Sequence, residues 1–525
     1  MKKQLIVVVA CLSLVAVTSA DGAIDIDIGR QLFVDDCLVE STNGVVRHWN
    51  RPVKQDDPVV WPGGGAAPKV VDGSSRGWRA DDPVVNLTCA TDGGLWWDPT
   101  KRKFRLWYQA DWTGDICYAE SADGVTWEYP DLGIVPGTNR LFEQDKIDSW
   151  NVTPNYAAEN PYSDWKLHVS EPHVPNGSDD RLWTSEDGIH FKALGRAGVS
   201  GDRSTSYYDP FRCVWVFSLR DGWPMRARRY FASRTFGGPD CRWNWSDKDP
   251  EEFQGLPRAE RWLVVTNGVR RQLYSFNAVA YESVMLGVME ILYNTPNDNK
   301  DCEKVGLPKK TALHFAFSRD GKTFEPRKNA DIAPSGWGSG KWDTGYLSCV
   351  GGICVIKDER LWFYYSGLRG DRERIGARYK WHRNGMYSNG AIGVATLRRD
   401  GFAGMVADGK GELVTKAVRF SGKRLFVNAE CRFGSLAAEV LDAEGQPLKG
   451  FTRKDCRVLE KTDSTKVELV FAGGDLSALA GRDVRFRFLM HCSTLYSFWV
   501  SPSERGESRG YVAGGGPAYP GLRDL

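Results

Sequence analysis

One carboxylate in this chain sits where water should not reach it. Glu282 interrupts an apolar stretch, Phe276 to Tyr281 on one side and Val284 to Leu286 on the other. A buried carboxylate costs several kcal/mol unless it is paired or protonated. A raised pKa is also what a general acid needs near neutral pH, so Glu282 is a candidate proton donor; the competing reading is a structural Glu bonded to a neighbouring element's backbone. Asp202, beside Arg203 in Gly201-Asp202-Arg203-Ser204-Thr205, is either a pair that grips sugar hydroxyls and sets a pKa or an ion pair between elements. Asp92, next to Gly93 and Gly94, is a base with close substrate access or a turn residue. Two carboxylates across a cleft can cleave a glycosidic bond. Tyr281, Trp96, Trp342 and Asp343 join Arg203 as candidate substrate-binding residues, the indoles as stacking platforms. Trp107, Trp127, Trp215 and Trp362 fall in strand-like runs and read as packing, and Asp98 and Asp209, each before Pro, read as hairpin residues.

Residues so far apart in sequence must be brought together by a repeating frame. Ser121-Ala122-Asp123-Gly124, Ser185-Glu186-Asp187-Gly188, Ser318-Arg319-Asp320-Gly321 and Arg399-Asp400-Gly401-Phe402 are copies of one turn, and Ala232-Ser233-Arg234-Thr235-Phe236 is a degenerate fifth. Asp-Gly suits a tight hairpin, because Gly accepts positive φ and Asp bonds its own turn backbone. Upstream of each copy lies a β-branched and aromatic run: Phe104 to Gln109, Trp165 to Ser170, Cys213 to Leu219, Val284 to Ile291 and Leu361 to Tyr365. Repeats of this kind predict an all-β fold, a five-bladed β-propeller over residues 28–405. Shorter alternating strands follow and predict a C-terminal β-sandwich over 410–505, then a Gly/Pro-rich tail, 506–525, that drapes over a surface. Gln31 to Asp36 is expected to pair with the last blade and close the ring; Asp35 and Asp36 are acids at the channel mouth or residues of a turn. The innermost strands of a propeller line one channel, so Glu282, Asp202 and Asp92 are expected to face it within about 10 Å of one another. Asn151, Asn155 and Glu159 are what the second blade offers there.

Met1-Lys2-Lys3, the apolar run Leu5 to Val17 and Thr18-Ser19-Ala20 read as a secretory signal over 1–20. An exported chain, periplasmic or extracellular, is expected, with lipid anchoring at Cys11 the lesser alternative. The formal charge is +2, both units of which leave with Lys2 and Lys3; no basic stripe exists for nucleic acid, and no second apolar run reaches membrane-spanning length. The 12 cysteines include no Cys-x-x-Cys pair, so neither a metal site nor a cofactor is expected; most read as buried fillers, with Cys349 and Cys354 the nearest candidates for a disulfide.

Gln31-Leu32-Phe33-Val34-Asp35-Asp36, Gly201-Asp202-Arg203-Ser204-Thr205 with Tyr208-Asp209-Pro210-Phe211-Arg212, Ala280-Tyr281-Glu282-Ser283, Leu397-Arg398-Arg399-Asp400-Gly401-Phe402 and Leu425-Phe426-Val427-Asn428 resemble segments of a group of exported planctomycete and verrucomicrobial proteins. That group looks like distant kin of the five-bladed propeller glycoside hydrolases of the invertase-like and arabinanase-like family 32/43 superfamily. The resemblance implies an Asp base, an auxiliary Asp and a Glu acid on three successive blades, with Glu282 as the acid and Asp202 as the auxiliary. The base position falls on Asn155, a departure: either Asp92 serves instead or the triad does not transfer. The Trp-Met-Asn-Asp-Pro-Asn motif of invertases is absent. The expected function is an exported glycosidase acting on plant or algal polysaccharide; a non-catalytic carbohydrate-binding propeller and a cell-surface scaffold are the alternatives.

Overall fold

The computed structural model describes residues 22–61, 88–110, 115–142, 147, 149–170, 179–221, 226–244, 252–253, 256–265, 271–293, 302, 305–370, 385–387 and 389–525, with backbone alone at 88–91, 179, 252–253 and 385. Residues 1–20 and Cys11 lie outside them. The fold is all-β: the described helical elements are short 3-10 turns, and no described helix is long and apolar enough to cross a membrane.

The N-terminal stretch carries β1 (Ile24–Asp25), β2 (Gln31–Leu32), β3 (Val39–Asn43), β4 (Val46–Trp49) and β5 (Val53–Lys54). Five groups of antiparallel strands follow. The first holds β6 (Thr88–Asp98), β7 (Lys103–Ala110) and β8 (Asp115–Ser121); the second β9 (Ser149–Pro154), β10 (Trp165–Ser170), β11 (Asp179–Ser185) and β12 (Lys192–Val199). The third holds β13 (Gly201–Asp209), β14 (Val214–Asp221) and β15 (Ala227–Ser233), and after a small hairpin of β16 (Glu252–Phe253) and β17 (Leu256–Pro257) it is completed by β18 (Glu260–Arg261). The fourth is β19 (Arg271–Glu282), β20 (Val284–Tyr293), β21 (Lys310–Ser318) and β22 (Glu325–Pro326). The fifth is β23 (Leu347–Lys357), β24 (Arg360–Leu368) and β25 (Gly390–Arg398), with β5 as its outer strand.

The first strands of these groups lie side by side in cyclic order: β6 beside β9, β9 beside β13, β13 beside β19, β19 beside β23, and β23 beside β6. Each step has its own fastener. Trp96 Nε1 donates to the Val152 carbonyl (2.9 Å), Asn151 exchanges two hydrogen bonds with the Ser206 backbone (2.7 and 2.9 Å), Thr205 Oγ1 donates to the Phe276 carbonyl (2.5 Å), and from β21 of the fourth group Thr311 Oγ1 donates to the Leu347 carbonyl of β23 (2.6 Å). The last step is a parallel backbone bridge between Val350 and Asp92.

The Asp-Gly turns are fasteners too. In the copies at Ser121, Ser185 and Ser318 the Ser hydroxyl accepts the Gly N–H at 2.8 to 2.9 Å, and the Asp carboxylate accepts the next two backbone N–H groups. Each turn then caps the preceding group. Arg105 and Trp107 donate to the Asp187 and Gly188 carbonyls, Arg212 to Arg319, and Tyr364 to Gly124. Asp400-Gly401 is different: Asp400 is buried, and the chain beyond it leaves the fifth group.

That chain forms β26 (Ala403–Thr415), β27 (Val418–Arg419), β28 (Arg424–Leu441), β29 (Leu459–Leu469) and β30 (Arg485–Ser501). All but β27, which pairs β1, join one continuous seven-stranded sheet that also takes in β2, β3 and β4; β28 is bulged between Cys431 and Ser435 against β29, and the sheet encloses its own apolar core. One expectation is corrected here. Gln31 and Leu32 pair with Phe498 and Ser497 of this sheet, not with the last blade, and it is Val53 and Lys54 that pair with β25 of the fifth group. Asp35 and Asp36 stand in a turn: Asp35 accepts the Cys37 N–H and pairs with Arg319.

The tail is built in rather than draped. Its β31 (Tyr511–Val512) pairs with the end of β19, Trp97 and Ile356 donate to Gly514 and Gly515, Tyr156 donates to Ala513, and Phe211 meets the Tyr511 ring. The tail thus touches the C-terminal ends of first strands, or the residues just past them, in all five groups. Cys349 and Cys354 are free thiols, both buried.

Candidate functional site

The opposite end of the ring, where the first strands begin, holds a cluster of buried charge centred on Arg203. Four of those strands are bulged at this level: β6 between Cys89 and Gly94, β13 between Gly201 and Thr205, β19 between Leu273 and Ser275, β23 between Cys349 and Cys354. A bulge re-aims a side chain, and inside two of them Asp92 and Arg203 both stand at φ +63°. Left-handed backbone at a non-glycine residue is sparsely populated and persists where the surroundings enforce it.

Arg203 is the centre. Its Nη2 lies 3.2 Å from Asp92 Oδ2, 2.6 Å from Glu290 Oε2 and 2.5 Å from Ser348 Oγ. Ser275 Oγ donates to Asp92 at 3.1 Å, Ser348 Oγ to Glu290 at 2.9 Å, and the Arg203 N–H to Ser149 Oγ at 2.6 Å. Arg228 clamps the backbone beneath, donating to the Arg203 carbonyl at 2.6 Å and to the Tyr274 carbonyl. Asp92, Glu290 and Arg203 are at most 2% exposed. Three buried polar atoms of this cluster, Glu290 Oε1 and Arg203 Nε and Nη1, have no hydrogen-bond partner among the described residues.

Burial pushes the Glu290 carboxyl up to about 7; the Arg203 guanidinium opposes that rise and the Asp92 charge adds to it. Burial also raises Asp92, against the pull of Arg203 and Arg228. Both carboxyl groups on this guanidinium nitrogen are less acidic than in water, and Glu290, at about 7, can exchange a proton with a substrate near neutral pH.

Glu282 is not among them. It lies seven residues beyond Ser275 on β19, about 23 Å at ~3.3 Å per residue. Burial raises its carboxyl, as the sequence suggested, but its oxygens are already taken: Arg399 donates at 2.9 Å, Ser508 at 2.7 Å and the Arg30 N–H at 3.0 Å. Gly29 and Gly510 admit this close approach, since a Cβ at either would fall within 2.4 Å of Glu282. Glu282 is a structural node that ties the N-terminal segment and the tail to the ring. Tyr281 belongs to the same node, donating to Asp400 at 2.5 Å, while Arg30 and Ser497 hold the other Asp400 oxygen. Asp202 turns away from Arg203 and pairs with Arg220 at the part-exposed rim. Trp96 is a fastener and Trp342 stacks on Tyr365 with centroids 5.3 Å apart, over Gly367 and Gly393. Asp343 accepts from Lys54 (2.7 Å), Tyr365 (3.0 Å) and Ser335 (2.5 Å), securing the fifth group. Of the sequence candidates, the structure brings together Asp92 and Arg203.

Sequence reasoning missed Glu290, Ser275 and Ser348. The rule that selected Glu282, a lone acid in an apolar strand, also fits Glu290 in Val-Met-Leu-Gly-Val-Met-Glu-Ile-Leu-Tyr. What separates the two is which end of the ring each occupies.

No family model matches the chain, and no curated protein matches it. Solved structures similar to it include a glycosyl hydrolase from Bacteroides ovatus (12% identity, TM-score 0.40, 67% of this chain and 94% of that one) and a thermostable family-43 glycoside hydrolase (10%, 0.38, 61% and 94%). A family-32 β-fructofuranosidase from Bombyx mori is a third (10%, 0.36, 78% and 90%). These structural neighbours are glycoside hydrolases.

Proposed function

We propose that the protein is an exported glycoside hydrolase acting on a plant or algal poly- or oligosaccharide. In this reading the cyclic array is a five-bladed propeller, the C-terminal sheet folds on itself as a sandwich, and residues 1–20 direct export. The observation that carries it is the Asp92–Arg203–Glu290 cluster. The two carboxyl groups come from different sheets and share one nitrogen within 3.2 Å. That separation supports a pair that flanks one glycosidic bond. Glu290, held near 7, keeps a proton for the leaving oxygen. Asp92 works from the other side as base or nucleophile, and Arg203 holds both in register. The tail occupies the far end of the ring, so substrate enters past Asp202 and Arg220.

The second reading is a carbohydrate-binding protein without turnover, favoured by one fact: Arg203 already spans both acids, each 1% exposed. Purified protein offered a panel of polysaccharides separates the two. Release of reducing ends supports the hydrolase. Saturable binding with no release on any glycan supports the binding protein.

A further inference from the structure

We propose that Asp180, His168, Ser200 and Ser170, buried behind the site in the second group, are positioning residues that anchor the chain at Gly201 and so set where Arg203 stands between Asp92 and Glu290. The inference deepens the glycosidase reading and rests on it for the effect on turnover alone.

Ser200 is the single residue between β12 and β13, and therefore the covalent link from the second group to the third. Its hydroxyl donates to the Asp180 carboxylate, 2.6 Å from Oδ1 and 2.8 Å from Oδ2. His168 Nε2 lies 2.8 Å from Asp180 Oδ2, and the imidazole stands edge-on to Phe217 and Trp243 with ring centroids at 5.4 and 6.5 Å. Ser170, on β10 with His168, is 3.0 Å from Ser200 Oγ and donates to the Gly201 carbonyl at 2.8 Å. Ser204 Oγ donates to the same carbonyl at 2.8 Å. Opposite Ser170 on β9 is Ser149, whose hydroxyl accepts the Arg203 N–H. The two backbone groups that flank Asp202 are thus held by serine hydroxyls, and Asp180 holds the residue before them.

All four side chains are buried: His168, Asp180 and Ser170 completely, Ser200 to within 6%. A nucleophile or proton donor has to meet its substrate, so this set does not act on one directly. What it does is hold a shape. Arg203 sits in left-handed backbone inside the β13 bulge, a strained state that lasts only where its surroundings over-determine it. A hydrogen bond to an ionised acceptor is about twice as strong as one between neutral groups, and Asp180 offers that acceptor to Ser200 at the root of the bulge. The shape has a chemical reading. The Arg203 guanidinium opposes the rise of the Glu290 carboxyl, so an Arg203 that drifts away leaves Glu290 less acidic still.

The test reads Glu290 itself, by carbon-13 NMR of its carboxyl across a pH titration, and so needs no turnover. In Ser200→Ala the midpoint should rise by at least about half a pH unit. On the best glycan of a panel kcat should fall at least about tenfold while KM stays within about threefold, the mark of a misplaced group rather than a lost contact. Ser200→Thr keeps the hydroxyl and should return both toward the parent. Asp180→Asn keeps the shape, serves where Ser200→Ala does not fold, and should also raise the midpoint; loss of a negative charge alone would lower it, so a rise reports the movement of Arg203. Ser121→Ala, which loosens the turn that caps the fifth group, should lower melting and leave the midpoint alone. Unmoved midpoints in Ser200→Ala and Asp180→Asn, or an equal shift in Ser121→Ala, overturn the inference. A parent that cleaves no glycan, with the midpoint shifted in the variants, removes the hydrolase and keeps the positioning. An active parent whose variants keep both kcat and midpoint does the reverse.

Discussion

Replacing Glu290 by Gln should change how stability depends on pH in a way that no exposed residue could. In the folded protein this carboxyl titrates at about 7, against 4.5 for the free group, chiefly because it is buried. A raised carboxyl binds its proton more tightly folded than unfolded. Its contribution is therefore fully present below pH 4.5 and is lost as pH climbs to 7. At about 1.4 kcal/mol per pH unit the gap amounts to about 3 kcal/mol. Gln keeps the shape and cannot titrate, so the mutant lacks this loss. Denaturant unfolding of parent and Glu290→Gln at pH 5 and pH 8 gives the difference between them. That difference should move by about 2 to 3 kcal/mol in the mutant's favour across the interval. Asp331, also pushed to about 7 by burial, is present in both proteins and cancels. A parent-minus-mutant difference that stays flat with pH would refute the placement of Glu290 in a buried, protonated state.

Glu282→Gln should cost about 3 kcal/mol of stability, because it leaves Arg30 and Arg399 buried without their partner, while the folded fraction keeps its turnover; a hundredfold loss of kcat with unchanged melting would restore Glu282 to catalysis. Gly188→Ala should destabilise by about 2 kcal/mol, since its φ is +73° and a Cβ there would fall 2.9 Å from both Arg105 and Trp107; melting within a degree of the parent would mean that the turn does not cap the first group. Removing residues 510–525 should lower the melting temperature by more than 5 °C and expose the ends of β6, β19 and β23 to hydrogen exchange; unchanged protection there would show that the tail is not a structural plug.

The repeat was legible because Ser-x-Asp-Gly is local chemistry. Ser121, Asp123 and Gly124 satisfy one another within four residues, and any sequence that does so three times announces three equivalent hairpins. The charged interior was half legible. Asp92 and Arg203 stood out beside glycines and in a charged pair, but that Arg203 leaves Asp202 and crosses to Asp92 depends on bulges of three extra residues in β6 and two in β13, and a bulge has no sequence signature of its own. Glu282 and Glu290 look alike along the chain, each a lone acid in an apolar strand. One meets Arg30 and Arg399, more than 100 residues away on either side, and the other meets Arg203. Partners at such separations are set by the closure of the ring, which is a property of the fold rather than of any segment. The tail misled for the same reason: its Gly/Pro texture resembles a loose surface strand, and here glycine is needed because Gly510 lies against the Glu282 carboxylate and Gly29.

The central claim is that Asp92 and Glu290 do the chemistry at the Arg203 end of the ring. It is tested most directly by initial rates of reducing-end release on the best glycan of a panel for the parent, Asp92→Asn, Glu290→Gln and Glu282→Gln, each corrected for folded fraction. The account predicts that the first two substitutions each lower kcat at least about a hundredfold, the contribution typical of a positioned proton donor or acceptor, and that Glu282→Gln stays within about threefold of the parent. Full activity in Asp92→Asn and Glu290→Gln, with the loss falling on Glu282→Gln instead, would contradict it.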